Sequence, residues 1–388
     1  MGNGVTTVTC DASNTINCSL SAGCAESLLY DSTTLAMVLA VMPTILTFGL
    51  VGNVAFLFVM TRVRSMRTVT NAYLTNLAVA DILFLAVAVG DKLTRYLITP
   101  IPADQTHFGV AGCISLNLLQ HLFNWVSIFL VTLVTLERYY GVCHPLKHMV
   151  LHTFSRTWKL IAGAWMLALV LSAVVVPIHY RILHLCIVWP EDSKYSGYPA
   201  ALGQCAAVPG NDDWVGVFSN LFQTIPFFFA MAINCFAYTG IIRALKGRSG
   251  TIKLSREAIL KNNRMCNQVS VMLIANGLSF FGCVAPFQLL CVASAISDLS
   301  GNNIGFGSFV HVARIMLYLN SAVNPYIYNV TNASYRQSFR DAFLGRASSR
   351  ASAQRRYLSD SRARSGNGPS QDGNSVQMSR ADVTGATY

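Results

Sequence analysis

Long apolar stretches without charged residues dominate the pattern of this chain. No Asp, Glu, Lys or Arg occurs in residues 32–61, 105–136 or 265–297. A helix needs about 20 predominantly apolar residues to cross the hydrocarbon core of a bilayer, and each run is long enough. Further apolar stretches lie at 70–96, 157–178, 214–242 and 305–329. The pattern predicts an all-α membrane protein, a seven-transmembrane helix bundle, since seven buried core helices of a soluble protein would not be separated so regularly by polar connections.

Basic residues are concentrated in the segments that follow every second predicted span. With the N-terminus outside, the inner segments and the C-terminal part hold 23 of the 28 Lys and Arg residues. An excess of Lys and Arg is typical of cytoplasmic loops. The distribution predicts a multi-pass membrane protein with its N-terminus outside. The net charge of +11 is then a sign of topology, and nucleic-acid binding is not predicted.

Composition divides the chain into four segments. An extracellular segment is predicted for residues 1–34, the helix bundle for 35–331, and a short amphipathic eighth helix on the inner membrane surface for 332–344. Residues 345–388 are rich in Ser, Arg and Gly and poor in apolar residues, which predicts disorder. Phosphorylation of serines there would add negative charge that a partner protein could bind, and a plain flexible tail is the alternative.

Two motifs carry the functional information. Glu137-Arg138-Tyr139 ends the third span, and Asn324-Pro325-Tyr326-Ile327-Tyr328 lies in the seventh. In this order and on these spans they resemble the motifs of rhodopsin-like (class A) G-protein-coupled receptors, over about residues 35–344. Within that family the chain is similar to the peptide-receptor branch of thyrotropin-releasing-hormone and neuromedin receptors. The resemblance implies a receptor that activates a heterotrimeric G protein, and not an enzyme.

The resemblance also implies which residues couple ligand binding to the G protein. Arg138 is expected to pair with Glu137 at rest and to meet the G protein when released. Two positions depart from the family pattern, since Val284 replaces the usual sixth-helix tryptophan and Ala230 the usual fifth-helix proline. The residues expected to take part in coupling are Glu137, Arg138, Tyr139, Leu146, Tyr238, Phe280, Pro286, Asn324, Pro325 and Tyr328.

The outer part of the bundle is predicted to hold the ligand. Amine receptors of the family carry an aspartate at the position of Gln120, and retinal-binding members need a lysine at the position of Tyr318. An amine ligand and a retinal ligand are therefore both disfavoured. Arg314, as in thyrotropin-releasing-hormone receptors, could bind a ligand carboxylate or carbonyl, or could instead pair with Asp91. The expected ligand contacts are Asp91, Asn117, Gln120, His121, Asn124, Phe287, Gln288, Arg314 and Tyr318.

The sequence indicates the class of ligand less clearly than it indicates the position of the ligand site. The predicted outer side carries ten acidic and five basic residues, which favours a cationic ligand or forms only a solvated surface. An amidated or basic neuropeptide is the leading hypothesis. A lipid or other small non-peptide ligand is the alternative, and the polar residues expected in the pocket argue against it. A transporter or channel would show paired repeats or broken helices, which the sequence does not indicate.

Six cysteines fall on the predicted outer side, where disulfides persist. In the family, a cysteine at the position of Cys113 bonds to one in the second outer loop. Cys205 is the expected partner, because it lies late in a long loop, 179–213, that could form a β-hairpin. Two alternatives are open for Cys186. It lies either at the end of the fourth helix or in the loop, bonded to one of the N-terminal cysteines. Asn17, in Asn17-Cys18-Ser19, is a predicted glycosylation site.

Asp81 is an ionisable residue within the second span. Such a group costs about 2.5–3.5 kcal/mol at the centre of a membrane helix, which suggests a function. Asn53 and a set of residues at matching family positions indicate a sodium pocket, because a hard cation prefers oxygen ligands. That set is Asp81, Ser127, Asn320, Ser321 and Asn324. The alternative is a neutral aspartate that only packs helices, and apart from this possible allosteric sodium ion no cofactor is predicted.

Overall fold

The computed structural model describes residues 10–11, 14–207, 212–251, 257–300 and 309–345. The predicted tail from residue 346 onward lies outside these ranges. So do residues 1–9 of the N-terminal segment and residues 305–308 of the seventh predicted span.

Seven long helical segments make up the bundle. The first joins α2 (Ser32–Ala36), a π-helical turn (Met37–Val41) and α3 (Met42–Arg62), and the others are α4 (Val69–Ile98), α5 (Gly109–Cys143), α7 (Phe154–Val174), α8 (Asp212–Thr251), α9 (Glu257–Ser300) and α10 (Phe309–Thr331). Shorter helices are α1 (Ala22–Ser27), α6 (Pro145–Leu151) and α11 (Ala333–Phe343). The first six long segments are apolar and long enough to cross a membrane. The seventh, α10, is more polar because it carries residues such as Arg314, Asn320 and Asn324.

The fourth long helix shows how local sequence sets the ends of these elements. Thr153 caps the start of α7, and its hydroxyl accepts a hydrogen bond from the backbone N–H of Arg156 at 3.4 Å. The helix ends at Val174, four residues before the predicted end, and a 3₁₀ turn follows over Val176–His179. Pro177 lies in that turn, and a proline cannot donate the backbone hydrogen bond that a longer helix needs.

Apolar side chains are divided between the centre of the bundle and its outer surface. Trp125 and Ile128 of α5 and Phe280 of α9 are buried in one core cluster. Phe229 and Phe236 of α8, in contrast, are 69% and 68% exposed. Large exposed apolar surfaces mark contacts with other molecules or with a membrane, so this outer surface is the one that faces lipid.

A small sheet covers one end of the bundle, which we call the hairpin end. β2 (Arg181–Val188) and β3 (Ala201–Ala206) form the predicted antiparallel hairpin, and β1 (Thr15–Asn17) adds parallel to β2. The predicted bond between Cys113 and Cys205 is present. Cys186 lies on β2 and not on the fourth helix, because α7 has already ended, and it bonds to Cys10. A third bond joins Cys18 and Cys24.

At the opposite end, which we call the α11 end, the last described helix packs across the bundle. Asn332 caps α11 by accepting a hydrogen bond from the N–H of Ser334 at 2.9 Å. The buried face of α11 includes Tyr335, whose hydroxyl donates to Asn71 of α4. This contact fixes α11 against the second long helix.

Candidate functional site

A cavity of about 310 Å³ lies inside the bundle at the hairpin end. This volume is at the lower limit for small-molecule binding sites, which are usually concave and largely pre-formed. Helices α4, α5 and α10 supply most of the lining. Ser219 and Gln223 of α8, Phe287 of α9 and Cys205 of β3 also contribute. Eight of the nine predicted ligand contacts line it, namely Asp91, Asn117, Gln120, His121, Asn124, Phe287, Arg314 and Tyr318.

Gln288 is the predicted contact that does not line this cavity. Its side chain is fully buried, and its Oε1 accepts a hydrogen bond from the Thr224 hydroxyl of α8 at 3.2 Å. Successive residues of a helix point about 100° apart. Phe287 therefore faces the cavity while its neighbour joins α9 to α8.

Asp91 is the only acid among the described residues of the cavity lining, and neighbouring basic residues are already paired with it. Asp91 Oδ2 lies 2.9 Å from Arg95 Nη2 and 3.2 Å from Lys92 Nζ, and His107 Nε2 approaches Oδ1 at 3.3 Å. The pairing with Arg95 joins positions i and i+4 of α4 and is buried on both sides. The alternative in which Arg314 pairs with Asp91 is therefore not observed.

Arg314 is a half-buried cation that lines the cavity. Among the side chains that the structure describes, no acid lies within ion-pair distance of it. Together with Lys92 and Arg95 it gives the lining three basic residues against one acid. The cavity itself is thus basic, in contrast to the acidic outer side that residue counting predicts, because most of the acids lie in loops and not in the lining.

A second polar cluster lies in the middle of the bundle around Asp81. Its Oδ2 accepts a hydrogen bond from Asn324 Nδ2 at 2.7 Å, and the hydroxyls of Ser127 and Ser321 also interact with the carboxylate. Among the described side chains, Oδ1 of Asp81 and Oδ1 of Asn324, which is bonded to Asp81, have no hydrogen-bond partner, and the same is true of the buried Oδ1 of Asn320. Unpaired oxygen atoms on a fully buried carboxylate and its bonded amide are suited to a hard cation.

Arg138 is held in place at the α11 end of α5. Its Nε donates to Glu137 Oε2 at 2.8 Å, and its Nη2 contacts the hydroxyl of Thr70 on α4. The Thr70 hydroxyl also donates to Glu137 Oε2 at 3.1 Å. Arg138 is therefore fixed to its own helix and to the second long helix.

Sequence comparisons agree with this arrangement. Residues 52–328 match the model of the family described as 7 transmembrane receptor (rhodopsin family). The chain belongs to this receptor family. It is 30% identical to the thyrotropin-releasing hormone receptor of Gallus gallus, over 75% of this chain and 74% of that one. It is also 27% identical to the Neuromedin U receptor homolog nmur-2 of Caenorhabditis elegans (78% of each chain), and 29% identical to somatostatin receptor type 5 of Bos taurus (75% of this chain, 72% of that one).

As a G-protein-coupled receptor the protein is not an enzyme. Four of its other predicted coupling residues lie on α5, α6, α8 and α10. Tyr238 of α8 shares a hydrogen bond of 3.0 Å with Thr135, and the buried Tyr328 hydroxyl of α10 has no partner. Tyr139 packs against Phe236 at 5.8 Å between ring centres. Leu146, on α6, is 81% exposed at the α11 end of the receptor.

The other predicted coupling residues lie on the sixth and seventh membrane helices of the receptor, α9 and α10. Pro286 lies inside it, and Pro325 lies inside α10. Phe280 packs in the same core cluster as Ile128. Val284 fills the position of the missing tryptophan and is fully buried.

Sequence reasoning missed three partners of the Glu137–Arg138 pair. Thr70 binds both members from α4, while His148 and His152 both approach Glu137. The spacing of four between the two histidines was a usable signal, because residues four apart share one helix face. The contact of Thr70 depends on how α4 and α5 pack, which no local pattern in the sequence indicates.

Proposed function

We propose that this receptor binds a short amidated neuropeptide at the hairpin end and activates a heterotrimeric G protein at the α11 end. The observation that carries the proposal is Arg314, a cavity-lining cation with no acidic partner among the described side chains. A buried guanidinium binds carbonyl or carboxylate oxygens through two parallel, charge-assisted hydrogen bonds. Peptides offer such oxygens at every residue.

The other residues of the cavity support a polar ligand. Asn117, Gln120 and Asn124 bring amide groups into the lining, and these can pair with a peptide backbone. A lipid would leave such groups and Arg314 without partners, at a cost for each buried polar group. The basic lining also disfavours a cationic group deep in the cavity. A neutral, amidated end is thus the part of the peptide that enters, and any basic part stays near the outer loops.

The proposed signal is a shift between two conformations. In the arrangement described here, Glu137 and Thr70 hold Arg138, and Tyr238 is bonded to Thr135. Ligand binding would favour a state in which α9 moves outward about Pro286. Arg138 would then be free to meet the G protein, and the exposed Leu146 would contact it.

A sodium ion bound at Asp81 would favour the resting state in this scheme. Asp81, Ser127 and Ser321 would hold it, with the unpaired oxygens of Asn320 and Asn324 nearby. The cation would supply the positive charge that this buried carboxylate lacks.

The proposal also includes the orientation of the receptor in the membrane and its remaining partner proteins. The receptor lies in the plasma membrane with its N-terminus and the three disulfides outside, where Asn17 is exposed for glycosylation. Receptor kinases and an arrestin would act on the tail from residue 345.

The experiment is a calcium and cyclic-AMP screen of receptor-expressing cells against amidated neuropeptides, followed by Arg314→Gln. We expect the active peptide to lose at least tenfold in potency. Arg181→Gln is the matched control, because Arg181 lies on β2 at the same end but outside the lining, with its Nε bound to the carbonyl of Ala207 at 2.7 Å. Unchanged potency in Arg314→Gln would refute the role of Arg314. A response to lipids alone would favour the non-peptide alternative.

A further inference from the structure

Glu137 is also the centre of a second cluster. It contains two histidines that the proposed signalling scheme does not use. Oε1 of Glu137 lies 2.9 Å from His148 Nε2 and 2.8 Å from His152 Nδ1. The three atoms all lie within 4.8 Å of one another. Oε2 accepts hydrogen bonds from Arg138 Nε and from Thr70, and Arg138 Nη2 also reaches Oε1 at 3.4 Å. Both histidines approach Oε1, so this oxygen lies between the imidazoles and the guanidinium.

Local sequence brings the two histidines to this position. Pro145 is the first residue of α6, where its fixed φ suits a helix start. His148 lies in α6 and His152 is its C-cap, so the two rings lie on one side with their centres 4.4 Å apart and their planes tilted by 38°. Gly141 leaves room for them, because a Cβ at this residue would lie only 3.3 Å from His148 Nε2.

The composition and exposure of the cluster suit a transition metal. Two imidazole nitrogens and one carboxylate oxygen are a frequent three-ligand set for zinc, with water as the fourth ligand. Imidazole ligands select zinc, copper or nickel over magnesium and calcium. The side chains of Glu137, His148 and His152 are 10%, 21% and 33% exposed. The site is thus shielded on one side and open to water on the other.

The distances require only a small adjustment. Ligand atoms about 2.0–2.1 Å from a tetrahedral zinc ion lie about 3.3 Å apart. The present separations of 2.8 and 2.9 Å would therefore open by about 0.5 Å on metal binding. Rotation of the partly exposed histidine rings can supply this change.

We propose that Glu137, His148 and His152 form a binding site for Zn²⁺ beside the G-protein-coupling arginine. The metal would replace the protons that the two imidazoles direct at Oε1. A cation on Oε1 withdraws negative charge from the carboxylate that holds Arg138. Zinc would therefore weaken the Glu137–Arg138 pair and favour release of the arginine. This regulatory consequence rests on the proposed signalling function, whereas the binding itself does not.

Metal binding is tested on the purified full-length receptor in lipid nanodiscs, with Zn²⁺ in competition with a chromophoric chelator and with Co²⁺ as a spectroscopic substitute. We expect tetrahedral Co²⁺ absorption in the parent receptor. His148→Ala and His152→Ala should each lose it and weaken Zn²⁺ binding at least tenfold. His144→Ala is the matched control, since His144 is exposed in the same loop and lies outside the cluster. Thermal midpoints of all variants establish that each is folded.

The proposal is overturned if the folded parent binds no more Co²⁺ than the His148→Ala, His152→Ala double variant. It is equally overturned if His144→Ala loses the spectrum as the other two do. G-protein nucleotide exchange at buffered free Zn²⁺ tests the consequence separately. We expect zinc to raise basal exchange in the parent and not in His148→Ala. Zinc binding without this increase would refute the regulatory step alone, and it would leave the metal site and the peptide proposal standing.

Discussion

Replacing Gly277 with Ala is expected to raise basal signalling, because this glycine leaves space for a tyrosine at the α8–α9 contact. A Cβ built at Gly277 overlaps the Tyr238 hydroxyl and lies 2.5 Å from its ring carbon Cζ. Tyr238 is buried and shares its hydrogen bond with Thr135 of α5. The ring therefore has no free space to enter, and the added methyl group must push α9 away from α8.

The size of the effect follows from packing energies. Forcing one extra methyl group into a filled core costs about 1–3 kcal/mol, and loss of the Thr135 bond adds about 1 kcal/mol. Outward movement of α9 relieves both costs, and in the proposed scheme this movement accompanies activation. A combined bias of about 2–4 kcal/mol changes an equilibrium by about 30- to 700-fold.

The assay is basal nucleotide exchange by the G protein, normalised to the amount of receptor, together with the thermal midpoint of the purified protein. Gly282→Ala is the control, because Gly282 lies on the same helix and a Cβ there meets nothing within 4 Å. Both substitutions raise helix propensity equally. The difference in basal nucleotide exchange between the two variants therefore reports the overlap with Tyr238. Basal exchange no higher than in Gly282→Ala would refute the reasoning, whether or not the thermal midpoint falls.

Three further predictions use other contacts. Thr70→Val removes a partner of Arg138 on α4, so basal exchange should rise severalfold, and an unchanged rate would show that Glu137 alone holds the arginine. Asp81→Asn should abolish the effect of Na⁺ on agonist affinity in membranes, and retained sodium sensitivity would contradict the proposed ion site. Burial lowers the pKa of His179 from 6.5 to about 4, so the unfolded chain takes up this proton first as pH falls. Stability should thus drop between about pH 6.5 and 4, and His179→Gln should reduce the accompanying loss of thermal midpoint. An identical pH profile in that variant would refute the assignment.

The seven helices were predictable because the bilayer imposes a minimum length on each apolar run. Local sequence alone could not indicate their packing partners. Arg95 follows Asp91 by one helical turn, a spacing that favours an ion pair. The sequence nevertheless also allowed Asp91 to pair with Arg314 across the bundle. Gln288 was assigned to the ligand site together with Phe287, although one step along a helix turns the side chain by about 100°.

Long-range contacts at the two ends of the receptor were the least predictable. The bond between Cys113 and Cys205 was expected from the family resemblance and is present. The pairing of Cys186 was left open, because a parallel strand contributed by the N-terminal segment leaves no periodic signal in three residues. The approach of His148 to Glu137 depends on the path of the short connection between α5 and α6, which residue patterns do not determine.

The Cys10–Cys186 bond has a consequence for the biosynthesis of the receptor. Its cysteines are 176 residues apart, whereas Cys18 and Cys24 are separated by only 6. A growing chain exposes Cys10 together with these two cysteines long before Cys186 is synthesised. Cys10 must therefore stay reduced or leave an incorrect bond by thiol–disulfide exchange. Correct maturation of the receptor therefore requires either delayed oxidation of Cys10 or exchange of an early bond, since neither of the first cysteines available to Cys10 is its final partner.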